Sequence, residues 1–314
     1  MIELRVQPGP AITRVAFLQT HPPYSIALDG YVHGAPFLDV RNDGPRRNFN
    51  HHEAVDRSCT VATCEQARRA VLLGLYDLFR DTDGRRATLW VNDCDQDVCL
   101  ATWILMNPDR AAEPLVRQLT QIEDLLDSSG GVFPMPHERD LLGEVRWVFA
   151  PYVSERNRGG LTGASSDRMR DVIDFVHLRI DRFVAGRADV VALEGGDTCR
   201  RIGGSSLWPL VEVKHPDART RMVADGVRAA VELTACVDGR YTYTLWRRSE
   251  YIAWFPIPEI LAALNVAEGH APYAIGGWGG AATVGGSPRG CGSKLTPAEV
   301  EAVVARVVAQ HGGR

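Results

Sequence analysis

Hydrophobic and polar positions follow two rhythms along the first half of the chain. RVAFLQT (14–20) is apolar at its centre and predicts a buried strand ending in the loop HPPYS. IALDGYVHGAP (26–36) predicts a second short strand closed by a Gly/Pro turn. From Thr60 to Phe79 the period lengthens, and Ala67, Val71, Leu75 and Leu78 fall on one face of an amphipathic helix. ATLWV (87–91) predicts a strand and VCLATWILM (98–106) a largely buried helix. Strand alternating with helix predicts a mainly parallel sheet covered on both faces.

After the Gly-rich break NRGGLTGA (157–164), residues 165–185 place Met169, Val172, Ile173, Val176 and Ile180 at helical spacing. Ser165 or Ser166, followed by Asp167, supplies the N-cap. The texture then changes. LWPLVEV, AAVELTACV, RYTYTLWRR and YIAWFPI are β-rich runs, VDGRY is a hairpin signal, and the chain closes with a Gly-rich loop (276–293) and a helix over 297–310. No internal repeat is visible. The predicted fold class is α/β with two domains. The first, 1–160, has a mainly parallel sheet and flanking helices; a connector helix spans 161–186; a smaller C-terminal α/β domain with a mixed sheet spans 187–314.

The 314 residues are enough for two ordinary domains, and a net charge of −4 gives no general attraction to duplex nucleic acid or anionic membrane. No apolar run approaches the roughly 20 residues of a bilayer span, and MIELRVQPGP lacks a signal-peptide pattern. Seven cysteines without CxxC pairs argue against a disulfide framework or a zinc knuckle. The sequence reads as a cytoplasmic protein with reduced thiols.

Chemistry concentrates at the predicted element ends. Asp93, Asp95 and Asp97 stand where a strand gives way to a helix, the usual ligand edge of a parallel sheet. On an extended segment, alternate residues share a side, so their carboxylates converge and need a cation to offset their repulsion. Mg²⁺ or Mn²⁺ suits such an oxygen-rich cluster. The competing reading is that one or two of them cap the helix near Val98. NFNHHEAVDRSCT (48–60) adds His51 and His52 before a small-residue helix entry. Asp29 ends a strand; Glu123, Asp124 and Asp127 lie in the last turns of a helix, where carboxylates oppose the macrodipole unless a metal, an arginine or solvent compensates them. In the glycine-rich loop, the amides of Gly285 and Gly286, with Ser287, Arg289, Ser293 and Lys294, fit a phosphate or carboxylate, although the P-loop spacing is absent.

These motifs together resemble the DHH phosphoesterase superfamily. NFNHHE is similar to its Asp-His-His signature with Asn50 in place of the aspartate, SCTVAT to the helix start that follows it, and NDCDQDVCLA to its Asp-x-Asp motif. The C-terminal glycine loop resembles, more loosely, the family's substrate loop. The Asp-x-Asp motif here follows the His-His motif instead of preceding it. The resemblance implies two α/β domains, Mn²⁺ or Mg²⁺ held by Asp and His ligands, and hydrolysis of phosphoesters or phosphoanhydrides in an interdomain cleft. On that expectation His51, His52 and Asp95 are catalytic; His51, His52, Asp93, Asp95, Asp97, Asp29 and Asp124 hold metal; and the substrate is a small anionic or phosphorylated molecule. Nucleic acid enters only as short oligonucleotides cut by a nuclease. A regulatory, non-catalytic binding protein of the same fold is the other alternative, and a homodimer is open to either.

Overall fold

Ser25–Leu28, all four residues buried, forms the central strand of the N-terminal sheet in the computed structural model. The structure describes residues 1–56, 59–133, 139–191, 197–215, 217–274, 276–288 and 291–312. The chain divides into two units, Met1–Ser128 with Glu138–Ala192, and Ser129–His137 with Leu193–Arg314.

In the first unit the large sheet contains β1 (Ile2–Val6), β2 (Ser25–Leu28), β3 (Phe37–Arg41), β4 (Gly44–Phe49) and, after the two-residue strands β5 (Arg80–Asp81) and β6 (Gly84–Arg85), β7 (Ala87–Val91). The order is β1-β7-β2-β4-β3, parallel throughout except for the β3–β4 hairpin. The helices are α1 (Arg14–Thr20), α2 (Thr63–Leu72), α3 (Leu75–Leu78), α4 (Gln96–Met106), α5 (Pro114–Ser128), α6 (Arg139–Asn157) and α7 (Ser166–Val184).

RVAFLQT is therefore a helix, not the expected strand. Thr13 caps it by accepting the Ala16 amide at 3.1 Å, and Phe17 is its fully buried residue. A seven-residue run this apolar has no decisive period, and the cap decides it. The helix expected over 60–79 starts at Thr63 and breaks after Leu72, where Gly74 takes a φ of 92° and starts α3. Ala67 and Leu75 are buried as the periodicity predicts, but Leu78 is exposed. α4 is buried from Asp97 to Leu105. α7 begins at the Ser165 cap, and its five expected apolar positions are all buried. It lies within the first unit, against α6, α4 and β1.

The second unit carries β8 (Cys199–Gly204), β9 (Pro209–Val213), α8 (Ala218–Ala224), β10 (Ala229–Val237), β11 (Arg240–Arg247), α9 (Ile257–Ala267), β12 (Gly279–Gly280), β13 (Val284–Gly286) and α10 (Pro297–Gln310). Its mixed sheet runs β12-β13-β11-β10-β9-β8, with β9 and β10 parallel and the other neighbours antiparallel. The VDGRY hairpin forms because Asp238 and Gly239 both adopt positive φ, 49° and 71°, as a two-residue turn between twisted strands requires. YIAWFPI does not form a strand. Its Phe255 enters the core, and Pro256 and Ile257 start α9. α10 occupies the expected span, closed by a capping box between Thr296 and Glu299. Among the described residues, no helix is long and apolar enough to cross a membrane.

Candidate metal centre

The site lies at the C-terminal ends of β2 and β4 and is organised by the N-terminus of α2. Ala62, at the cap position, has no side chain that can accept a hydrogen bond. Two carboxylates from other helices do so in its place. Asp124 of α5 accepts the Ala62 amide at 2.6 Å, and Asp97 of α4 accepts the amides of Thr63 and Cys64 at 2.7 and 2.6 Å. A helix N-terminus favours negative charge, so α2 draws acids inward. Thr63 Oγ1 also donates to Asp29 Oδ1 at 3.0 Å. Asp29 itself follows β2 with φ 49°, a left-handed conformation that ends the strand.

His51 follows β4 and is 1% exposed. Its Nε2 lies 2.8 Å from Asp127 Oδ2, 3.3 Å from Asp29 Oδ1 and 3.6 Å from Asp97 Oδ2. His52 Nε2 lies 2.9 Å from Asp29 Oδ1. Neighbouring ligands at right angles on one ion, each about 2.1 Å from it, are about 3.0 Å apart. The spacings around His51 bracket that separation. Two groups of ligating atoms result, Asp29–His51–His52 and His51–Asp97–Asp127, with the atoms of each group within 4.8 Å of one another.

His51 Nε2 is close to three carboxylates but meets none of them at a hydrogen-bonding angle, and His51 Nδ1, Asp127 Oδ2 and Glu123 Oε2 likewise have no well-aligned hydrogen bond although they are buried. Unpaired buried polar atoms are costly and uncommon. A cation held by Nε2 and these oxygens fits the donor set. An imidazolium alone leaves its N–H groups misdirected.

The charges are unbalanced in the same sense. Burial disfavours a charged His51 ring, but Asp127 and Asp29, with Asp97 beside them, outweigh it and push its pKa up to about 10. Burial would raise Asp29, yet His51 and His52 hold it well below the usual carboxylate range. Burial, then Asp29 and Asp127, push Asp97 up to about 7. Burial and the Asp127 charge raise Glu123 strongly. Crowded carboxylates of this kind are relieved by a cation.

The structure brings together His51, His52, Asp29 and Asp97 of the residues expected from sequence. Asp95 is the N-cap of α4, accepting Val98 N at 2.9 Å, and falls outside both ligand groups. Burial and repulsion from Asp29 and Asp127 raise its pKa. Asp93 is exposed and accepts Cys94 N at 2.6 Å, and Asp124 serves α2 as described. Asp127 takes the place at His51, with Glu123 buried nearby. The signal was present in α5: Val116, Leu119, Ile122 and Glu123 are buried at helical spacing, so the apolar stripe continues into acids one turn apart.

Asn50 is fully buried. Its amide donates to Gly34 O at 2.8 Å and Val32 O at 3.4 Å, while its Oδ1 accepts His52 N at 3.1 Å. A carboxylate cannot make those two donations, which accounts for asparagine here.

In the second unit, Gly285 and Gly286 pair with Leu245 and Thr244 in the sheet, and a Cβ on Gly286 would sit 2.6 Å from Tyr243 O. The Ser287 and Ser293 hydroxyls accept Tyr243 N and Leu295 N, both at 3.0 Å, and Lys294 N donates to Glu268 Oε1 at 2.6 Å. These groups close the sheet and its following loop. Arg289 lies outside the described residues.

No protein-family model matches the chain, and no curated protein or solved structure matches it either.

Proposed function

We propose that the protein is a divalent-metal-dependent hydrolase of the phosphoesterase kind, acting on a small phosphorylated or otherwise anionic molecule. Asp29, His51, His52, Asp97 and Asp127 would hold Mn²⁺ or Mg²⁺. The observation that carries this reading is the buried Nε2 of His51, with three carboxylate oxygens at ligand spacing and no hydrogen bond of its own. Bound there, the ion would lower the pKa of a water and polarise a phosphoryl oxygen. The chain's own residues orient and shield. Asp97 is fixed by two amides, Asp29 by the Thr63 hydroxyl, and Asp95 positions α4 as its cap. The His52 and Asp127 side chains are 37% and 29% exposed while the others are nearly fully buried, so substrate and water reach the ion from their side.

Calorimetric titration of the metal-stripped protein with MnCl₂, followed by a panel of phosphomonoesters, phosphodiesters, short oligonucleotides and pyrophosphate, tests the proposal. Stoichiometric binding and turnover, both lost in His51→Ala, are expected. Failure to bind Mn²⁺ or Mg²⁺ in a folded protein overturns it. Asn50, standing where the resembling family has aspartate, favours a second reading, ligand binding without turnover. Metal binding with no hydrolysis across the panel would select that reading.

A further inference from the structure

Among the described residues, β3 is the outer strand of the first sheet and pairs with β4 alone. The register sets Arg41 opposite Gly44, Val40 opposite Pro45, Asp39 opposite Arg46 and Leu38 opposite Arg47. Pro45 has no N–H, so Val40 and Pro45 do not exchange hydrogen bonds. By the alternation of an antiparallel ladder, the N–H and C=O groups of Leu38 and Val40 then point away from β4. Such an edge is a ready template for another strand.

The side chains agree with the backbone. Leu38 is 44% and Val40 61% exposed, on the face opposite the buried Phe37. Natural edge strands are usually protected by charge on that surface; here the outward residues are aliphatic. Asp39 and Arg41 lie on the other face and pair with each other at 2.5 Å.

We infer that β3 docks antiparallel on β3 of a second copy of this chain, about a two-fold axis through Val40, joining two sheets into one. The charges choose the register. With Val40 on the axis, Asp39 faces Arg41 of the partner subunit, and the symmetry makes this pair twice. Sliding the pairing to centre on Asp39 sets two aspartates face to face, which is unfavourable. Because the axis returns the same contact, the assembly closes at two copies, with Leu38 opposite Asn42 of the partner subunit in the turn that follows β3.

A strand pair alone falls short of the roughly 1,200 Å² of a standard interface, and the flanks supply apolar surface. α1 borders β3, with the Arg14 guanidinium 4.4 Å from the Phe37 ring centre and Arg41 donating to Leu18 O at 3.5 Å, and it exposes Val15. On the other face α2 packs on β4 and ends in exposed Leu72 and Leu73.

Sedimentation velocity over the micromolar range is the test. The wild-type chain sediments as a dimer, and Val40→Lys, which puts two ammonium groups on the axis at an exposed position, sediments as a monomer with an unchanged circular dichroism spectrum. Charge reversal then checks the register. Arg41→Glu and Asp39→Lys each place like charges opposite one another and are monomeric alone. Mixed in equal amounts they form a heterodimer, since the introduced carboxylate of one variant then faces the introduced ammonium of the other across the axis, and the native pair survives at the second position. A wild-type monomer at high micromolar concentration, a dimer that persists in Val40→Lys, or a mixture that stays monomeric would each overturn the inference.

Discussion

Asp97 accepts the backbone amide of Thr63, from another helix, at 2.7 Å with its Oδ2, while that same oxygen lies 3.6 Å from the Nε2 of His51. One carboxylate thus serves a helix cap and a candidate ligand set. Asp127 approaches His51 more closely, at 2.8 Å, and its Oδ2 accepts no hydrogen bond. The two aspartates should separate stability from metal binding. Asp97→Ala strands two buried amides and should cost about 2–4 kcal/mol in urea unfolding of the metal-free protein. Asp127→Ala relieves carboxylate crowding at a helix C-terminus but also removes the counter-charge nearest His51, so metal-free stability should change by less than in Asp97→Ala. A hundredfold excess of Mn²⁺ over its Kd should stabilise the wild type by about 2.7 kcal/mol and Asp127→Ala by much less. Equal stabilisation of both would remove Asp127 from the site.

Asn50→Asp would make the loop read Asp-His-His but should not improve the protein. The new carboxylate loses both donations and faces the carbonyls of Gly34 and Val32. A loss of about 2–4 kcal/mol is expected from a buried acceptor set against acceptors, read as a lower denaturation midpoint. An unchanged midpoint would mean that the loop carrying His51 and His52 does not depend on this amide.

α6 contains Pro151, which cannot donate to the carbonyl of Trp147 one turn earlier. The Arg179 guanidinium of α7 donates to that oxygen, and its carbon lies 4.8 Å from the Trp147 ring centre. Arg179→Met should therefore cost about 1–3 kcal/mol. In a Pro151→Ala background the restored amide takes over the carbonyl, and the same substitution should cost less than about 1 kcal/mol. A double-mutant cycle with no coupling would show that the two features are independent.

His177 supplies a pH dependence away from the candidate centre. Its Nε2 lies 3.0 Å from Cys99 O and from Thr102 Oγ1, and burial pushes its pKa down to about 4 from 6.5. The folded ring stays neutral where the unfolded ring is charged, so unfolding takes up a proton between these values. This contribution is flat above about pH 6.5 and destabilises progressively as pH falls towards 4, by about 3 kcal/mol in total. His177→Gln keeps a donor to Cys99 O and should lose that slope. Identical pH profiles for variant and wild type would contradict the assignment.

The sequence exposed those parts of the molecule in which one period runs long enough to be decisive. α7 and α10 show many apolar positions at helical spacing together with a capping residue, and both stand where the pattern puts them. RVAFLQT and YIAWFPI are short apolar runs whose state is fixed by Thr13 and Pro256 at their borders. The site divides in the same way. Asp29 and Asp97 sit at element ends that the pattern locates, whereas β4, the strand that leads into His51 and His52, is not among the strands it predicts. The reading of Asp95 and Asp97 on one extended face does not hold, because α4 begins between them, leaving Asp95 as its cap and Asp97 in its first turn. Asp127 reaches His51 only through the packing of α5, a relationship with no local trace beyond an acid on the buried stripe.

The amides at the start of α2 are satisfied by residues some thirty and sixty positions downstream. A peptide of α2 alone lacks these acceptors and is too short to be helical in water. Its first turn becomes stable only when α4 and α5 have docked, so these amides should exchange hydrogen through the opening of the whole N-terminal unit instead of by fraying. An ion bound among the same side chains would then add its free energy to that concerted opening, tying occupancy of the centre to the lifetime of the folded chain.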